Sequence, residues 1–172
     1  MELIRHITER GIYYCNVRVD KDWFNKLTFD NWIAFTIVDV EDKDLLNDMT
    51  AHCLDNGVCY TCSVGELASL TEDYFDEEIV SRAVDRELLT GIEEDYEATP
   101  MTTFHRNFDD GFWFASSEAK QIINDQYIES RQLVCIDCTR RKVRQYLINL
   151  IDKINDGWLP DEESIKKPLY DS

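Results

Sequence analysis

Apolar positions fall in runs whose period changes along the chain, and each change marks an element. Trp32-Ile33-Ala34-Phe35-Thr36-Ile37-Val38-Asp39-Val40 is β-branched, aromatic and almost continuously apolar, as expected of a central strand covered on both faces. Asp42 then caps a predicted helix whose apolar positions Leu45, Leu46, Met49 and Cys53 recur at helical spacing, with Asn56-Gly57 as its stop. Val58 to Val64 reads as a second strand ending at Gly65, so these pieces form a βαβ unit with a right-handed crossover. A further helix is predicted from about Asp76 to Thr90, with Ile79, Ala83, Val84 and Leu88 as its buried stripe and Gly91 as its stop.

Met101-Thr102-Thr103-Phe104 reads as a third strand. Asp109 or Asp110 then caps a helix carrying Phe112, Trp113, Ala119, Ile122 and Ile123. Gln132 to Cys138 is a fourth strand. The last helix has the clearest period, with Thr139 as N-cap, then Val143, Tyr146, Leu147, Leu150, Ile151 and Ile154 on one face, and Gly157 at the end. Near the start, Tyr13, Cys15, Val17 and Val19 alternate with Ile12, Tyr14, Asn16 and Arg18, which suits an added edge or antiparallel strand. Strands alternating with helices predict a three-layer α/β fold, Rossmann-like, with a mostly parallel four- to five-stranded sheet flanked by helices. Three prolines and six glycines, none clustered, mark no linker, so residues 1–172 read as a single α/β domain. Within it, 1–30 form an N-terminal strand and aromatic extension, and 158–172 a C-terminal tail.

Composition narrows the class. The 172 residues carry 35 Asp+Glu against 18 Lys+Arg, a net charge of −17, yet 12% are aromatic, and that is too much apolar surface for a disordered acidic chain. Direct nucleic-acid binding is disfavoured, because its affinity comes from cations replacing counterions on phosphate. No apolar run approaches the ~18–20 residues of a membrane span, and Met1-Glu2-Leu3-Ile4-Arg5-His6 lacks the apolar region of a signal peptide. A cytoplasmic location with no membrane association is expected, and there the six cysteines are reduced thiols.

The pairs Cys59/Cys62 and Cys135/Cys138 have the spacing of zinc ligands, but residues i and i+3 of a strand point to opposite faces and neither pair encloses a glycine turn. Buried structural thiols are the favoured reading, with neither metal nor cofactor expected. His105 follows a strand at its carboxyl end, where open α/β sheets bind ligands. A catalytic group of Thr103, His105 and Asp109 is one reading there, with His105 as general base; the alternative is that these side chains satisfy the turn and cap the next helix. The fingerprints G-x-S-x-G, G-x-G-x-x-G and G-x-x-x-x-G-K-[ST] are absent. Arg140, Arg141, Lys142 and Arg144 sit where a helix begins, against its dipole, so Arg140 and Arg141 are candidates for holding an anion, or else pair with nearby carboxylates.

From Glu66 to Glu97 twelve acidic residues face two basic ones, Arg82 and Arg86, and supply −10 of the −17. Aromatic side chains are interleaved. Tyr74, Phe75, Glu77, Glu78, Glu93, Glu94, Asp95 and Tyr96 are therefore the candidate partner-binding residues, a patch suited to a basic protein.

The strand Trp32 to Val40, Gly57-Val58-Cys59-Tyr60 leading to Gly65, the acidic middle, Thr102-Thr103-Phe104-His105 before Asp109-Asp110, and Phe112-Trp113-Phe114-Ala115 together resemble a family of uncharacterised small bacterial α/β proteins. The resemblance spans about residues 30 to 137 and departs after Gly65, where the family often has a Cys or Trp. It implies the α/β fold and points to Thr103 and His105 without naming a reaction. The leading functional expectation is a non-catalytic interaction protein, immunity- or antitoxin-like, that binds a basic protein partner. The alternatives are a small-molecule, nucleotide-binding or hydrolytic domain using the carboxyl edge of the sheet around His105, and a nucleic-acid mimic.

Overall fold

The computed structural model describes residues 1–92, 98–123 and 126–161. In chain order the elements are β1 (Glu2–Ile7), β2 (Arg10–Asn16), β3 (Trp32–Ile37), α1 (Lys43–Asp55), β4 (Val58–Val64), α2 (Ala68–Thr90) and β5 (Met101–Phe104). There follow α3 (Phe108–Trp113), the pair β6 (Gln121–Ile123) and β7 (Gln126–Ile128), β8 (Gln132–Asp137) and α4 (Val143–Asn155). Six strands make one sheet in the order β1-β2-β8-β3-β4-β5, parallel throughout except for β1, and β6 pairs with β7 alone. This is an α/β fold with a larger sheet than the sequence predicts.

The continuous apolar run of β3 is explained by its position. All six of its residues are buried. Ile33, Phe35 and Ile37 pack on one side with Phe112 of α3 and Leu147, Leu150 and Ile151 of α4. Trp32 and Ala34 pack on the other with Leu46, Met49 and Cys53 of α1 and Phe75 of α2. Alternation along a strand covered on both faces thus fills two core layers at once. The Asp42 cap of α1 is present, its side chain accepting from the Leu45 amide at 3.3 Å.

Five elements differ from expectation. The Tyr13 strand is antiparallel to β1, as expected, but it is not an edge: its other side pairs in parallel with β8, and the edge is β1, whose exposed polar positions gave a weak strand signal. α2 begins at Ala68, not near Asp76, and its buried row is Ala68, Thr71, Phe75, Ile79 and Ala83, whereas Val84 and Leu88 lie in solvent. Asn107, not Asp109 or Asp110, caps α3, accepting from the amides of both aspartates at 2.8 and 3.2 Å. That helix ends at Trp113, passes into a π-turn over Phe114–Glu118, and leaves Ile122 and Ile123 to β6. Thr139 does not cap α4. Its hydroxyl accepts from the Arg141 amide at 3.1 Å in a turn, and α4 begins at Val143 with no side-chain cap.

Candidate functional site

Two surfaces gather the residues the sequence singles out. The first is the solvent side of α2. Its helical phase puts Phe75 fully inside the core, so this ring is no partner anchor but a packing residue. Tyr74, Glu77 and Glu78 emerge on the side facing α1, where with Asp48 and Thr50 they line a groove of about 420 Å³. Glu78 and Asp55 hold Arg82 at 2.8 and 2.7 Å, which cancels one of the segment's two cations locally. The Thr50 hydroxyl, 1% exposed, has no hydrogen-bond partner. One ridge further round, Val80, Val84 and Leu88 repeat at four-residue steps and are 51%, 42% and 79% exposed. Asp73, Glu77 and Asp85 form the adjacent ridge. Glu93, Glu94, Asp95 and Tyr96 lie outside the described residues.

The second surface is a cleft of about 570 Å³ at the carboxyl edge of the sheet. The end of β3 contributes Ile37 and Asp39, the end of β4 Gly65 and Glu66, and the segment after β5 Arg106 and Phe108. Arg141, Lys142, Val143 and Tyr146 close it from the start of α4. The Arg141 guanidinium is ion-paired with Asp39, whose carboxylate also accepts from the Glu66 amide at 3.3 Å. The Phe108 and Tyr146 rings meet edge-on at 5.4 Å. The Tyr146 hydroxyl donates to Asp109 at 2.5 Å, and that bond pushes the tyrosine up to about 12.

The proposed catalytic group does not assemble there. Arg141 lines the cleft, but Arg140, Thr103 and His105 do not, and the Asp109 carboxylate is engaged by Tyr146. His105 lies over Phe114 at 5.0 Å with Nε2 3.4 Å from the Thr103 hydroxyl, which is also 3.2 Å from the Thr61 carbonyl as its donor. Burial lowers the His105 pKa below the ordinary 6.5, while the charge of Asp110 opposes that shift. A depressed folded pKa means that the unfolded chain binds more protons below 6.5, so stability is full above that pH and falls as the pH drops toward the folded value. Denaturant unfolding at pH 7.5 and 5.5 is expected to show a loss in the parent protein that His105→Gln reduces; an unchanged loss in the variant assigns it to other groups.

All six cysteines are free and buried. Cys135 and Cys138 face opposite core layers, as strand geometry requires, but Cys59 and Cys62 share one layer because the register slips between Trp32 and Ile33, leaving Cys59 unpaired in the ladder. Burial pushes the thiols of Cys15, Cys62 and Cys138 up to about 12 and that of Cys59 up to about 11, so none is an activated nucleophile. Among the described residues no group of three or more His, Cys, Asp or Glu is placed to hold a metal ion, and no helix is long and apolar enough to cross a membrane.

Asp137 is a structural residue behind the cleft that no sequence motif marked. It is fully buried at the end of β8, where it accepts from the Tyr14 hydroxyl at 2.6 Å, the Asn16 amide at 3.1 Å and the Thr139 backbone at 2.8 Å. It ties β2 to the loop that delivers Arg141. The one signal for it was a lone acid inside an apolar strand, a placement that burial tolerates only with such partners.

The family described as a domain of unknown function (DUF7684) matches residues 12–154. No curated protein matches the chain.

Proposed function

The chain belongs to the DUF7684 family of unknown function, and since that membership brings no activity with it, we propose from the geometry that the protein is a non-catalytic interaction protein that docks a basic, amphipathic protein segment along α2. The observation that carries this reading is the exposed apolar ridge of Val80, Val84 and Leu88 running beside the acids Asp73, Glu77 and Asp85. Large aliphatic side chains left substantially exposed on successive turns forgo about 1–2 kcal/mol each relative to full burial, which a partner recovers. The flanking carboxylates select its charge and speed its approach. The groove between α1 and α2 adds a place for a cationic side chain, with Asp48 and Glu77 at its walls beside the Glu78 that already holds Arg82. A second copy of this chain is a poor occupant, because pairing α2 with α2 brings acid against acid.

The test is co-purification from the native host at low salt with the parent protein, the pair Val84→Ser/Leu88→Ser, and the pair Asp73→Lys/Glu77→Lys. All four positions are on the solvent side of α2, so folding is expected to persist and is checked by circular dichroism. A partner of high pI recovered by the parent, weakened about tenfold or more by either pair and released by salt, is the expected result. Recovery of the same proteins by all three forms, or of none by the parent, refutes the proposal. Sedimentation that shows a parent dimer broken by Leu88→Ser assigns the ridge to self-association instead.

A further inference from the structure

The carboxyl-edge cleft is unlike the rest of the molecule. In a chain of net charge −17 it draws Arg106, Arg141 and Lys142 to one opening from two separate segments, and among the described residues its lining sets against them Asp39, which pairs with Arg141, and Glu66. Its position follows from topology: the adjacent strands β3 and β8 lead into α1 and α4, which pack on opposite faces of the sheet, so the loops part between them. Lys142 and Val143 also stand at the start of α4, a helix of 13 residues whose first-turn amides have no side-chain cap. The other wall is apolar, with Ile37, Val143 and the Phe108–Tyr146 ring pair. At about 570 Å³ the space matches a small organic molecule.

We propose that this cleft binds a small phosphorylated molecule with an apolar or aromatic body. The phosphate lies against Lys142, Arg106 and the first-turn amides of α4, and the body against Phe108 and Tyr146. The Asp39–Arg141 pair and the Glu66 amide that shares Asp39 hold the two loops at a fixed separation, so the site is set before ligand arrives. This inference is independent of the α2 surface.

The experiment is an amide-resolved NMR titration with phenyl phosphate, inorganic phosphate and phenol as probes, on the parent protein, Lys142→Glu and Lys142→Arg. Lys142 is exposed, so neither substitution threatens the fold. Phenyl phosphate is expected to shift the signals of Gly65, Glu66 and Val143 saturably, to bind at least about tenfold more weakly to Lys142→Glu, and to be restored by Lys142→Arg, as for loss of a charge-assisted hydrogen bond. Absence of saturable shifts, equal affinity in Lys142→Glu, or shifts away from the cleft overturns the proposal. Inorganic phosphate binding as tightly as phenyl phosphate removes the apolar body from it, and phenol binding as tightly removes the anion. The α2 substitutions are expected to leave this titration unchanged, so the two readings fail separately.

Discussion

Phe75→Ala is expected to lower the unfolding free energy by about 3–5 kcal/mol, the range for deleting a buried aromatic ring. Phe75 is fully buried in the layer that also holds Trp32, Leu46, Met49 and Cys53, so its loss opens a void between α1, α2 and the sheet. Leu88→Ala, thirteen positions along the same helix, is expected to change stability by no more than about 0.5 kcal/mol, because that side chain is 79% exposed. Partner binding reverses the order. In urea titrations Phe75→Ala shifts the midpoint strongly and Leu88→Ala barely, while in the co-purification Leu88→Ala is the variant that loses material. Comparable midpoints for the two would contradict a helical phase of α2 that buries position 75 and exposes position 88.

That contrast also locates what the sequence made legible. With the helix start taken at Asp76, the ring at 75 falls in a loop and looks like an anchor; once the helix starts at Ala68, the same ring lies in phase with Ile79 and Ala83. The N-terminal turns of α2 hid because Ala68, Ser69 and Thr71 give a weak apolar period. Central elements were plain for the opposite reason. β3, β4 and β8 are buried on both faces and rich in apolar and β-branched residues, and the Leu147-Leu150-Ile151 face of α4 is unmistakable. Non-local pairing was not legible: nothing in residues 132–137 says that β8 enters between β2 and β3, yet this insertion is what brings Arg141 and Lys142 to the loop ends of β3 and β4. The cations at 140–142 were therefore visible as an anomaly, while the cleft that gives two of them a common wall was not. The partner of Asp109 was equally illegible, because the Tyr146 hydroxyl that its carboxylate accepts from comes from α4, 37 residues on.

The second large effect concerns the joint on which the cleft depends. At Gly65 the backbone has φ +106°, and a Cβ there would stand 2.3 Å from the Val38 carbonyl oxygen and 2.8 Å from the Asp39 carboxylate. Gly65→Ala is expected to cost about 2–6 kcal/mol, combining about 1–3 for the strained backbone with about 1–3 for overpacking against a carbonyl held in place. That carbonyl has little room to yield, because it already accepts from the Leu67 amide at 3.1 Å. Gly157 separates the two contributions. Its φ is +93°, but nothing lies within 4 Å of its Cβ position, so Gly157→Ala carries the conformational cost alone, about 1–2 kcal/mol. Denaturant unfolding of the two variants therefore reads the close approach of β3 and β4 as a difference. If both lose the same amount, the 2.3 Å approach has relaxed at no cost and the loop ends are not rigidly spaced. If Gly65→Ala loses the larger amount, the pushed Asp39 carboxylate is expected to give up its hold on the Glu66 amide and on Arg141, and phenyl phosphate affinity falls with stability, whereas in Gly157→Ala it stays at the parent value.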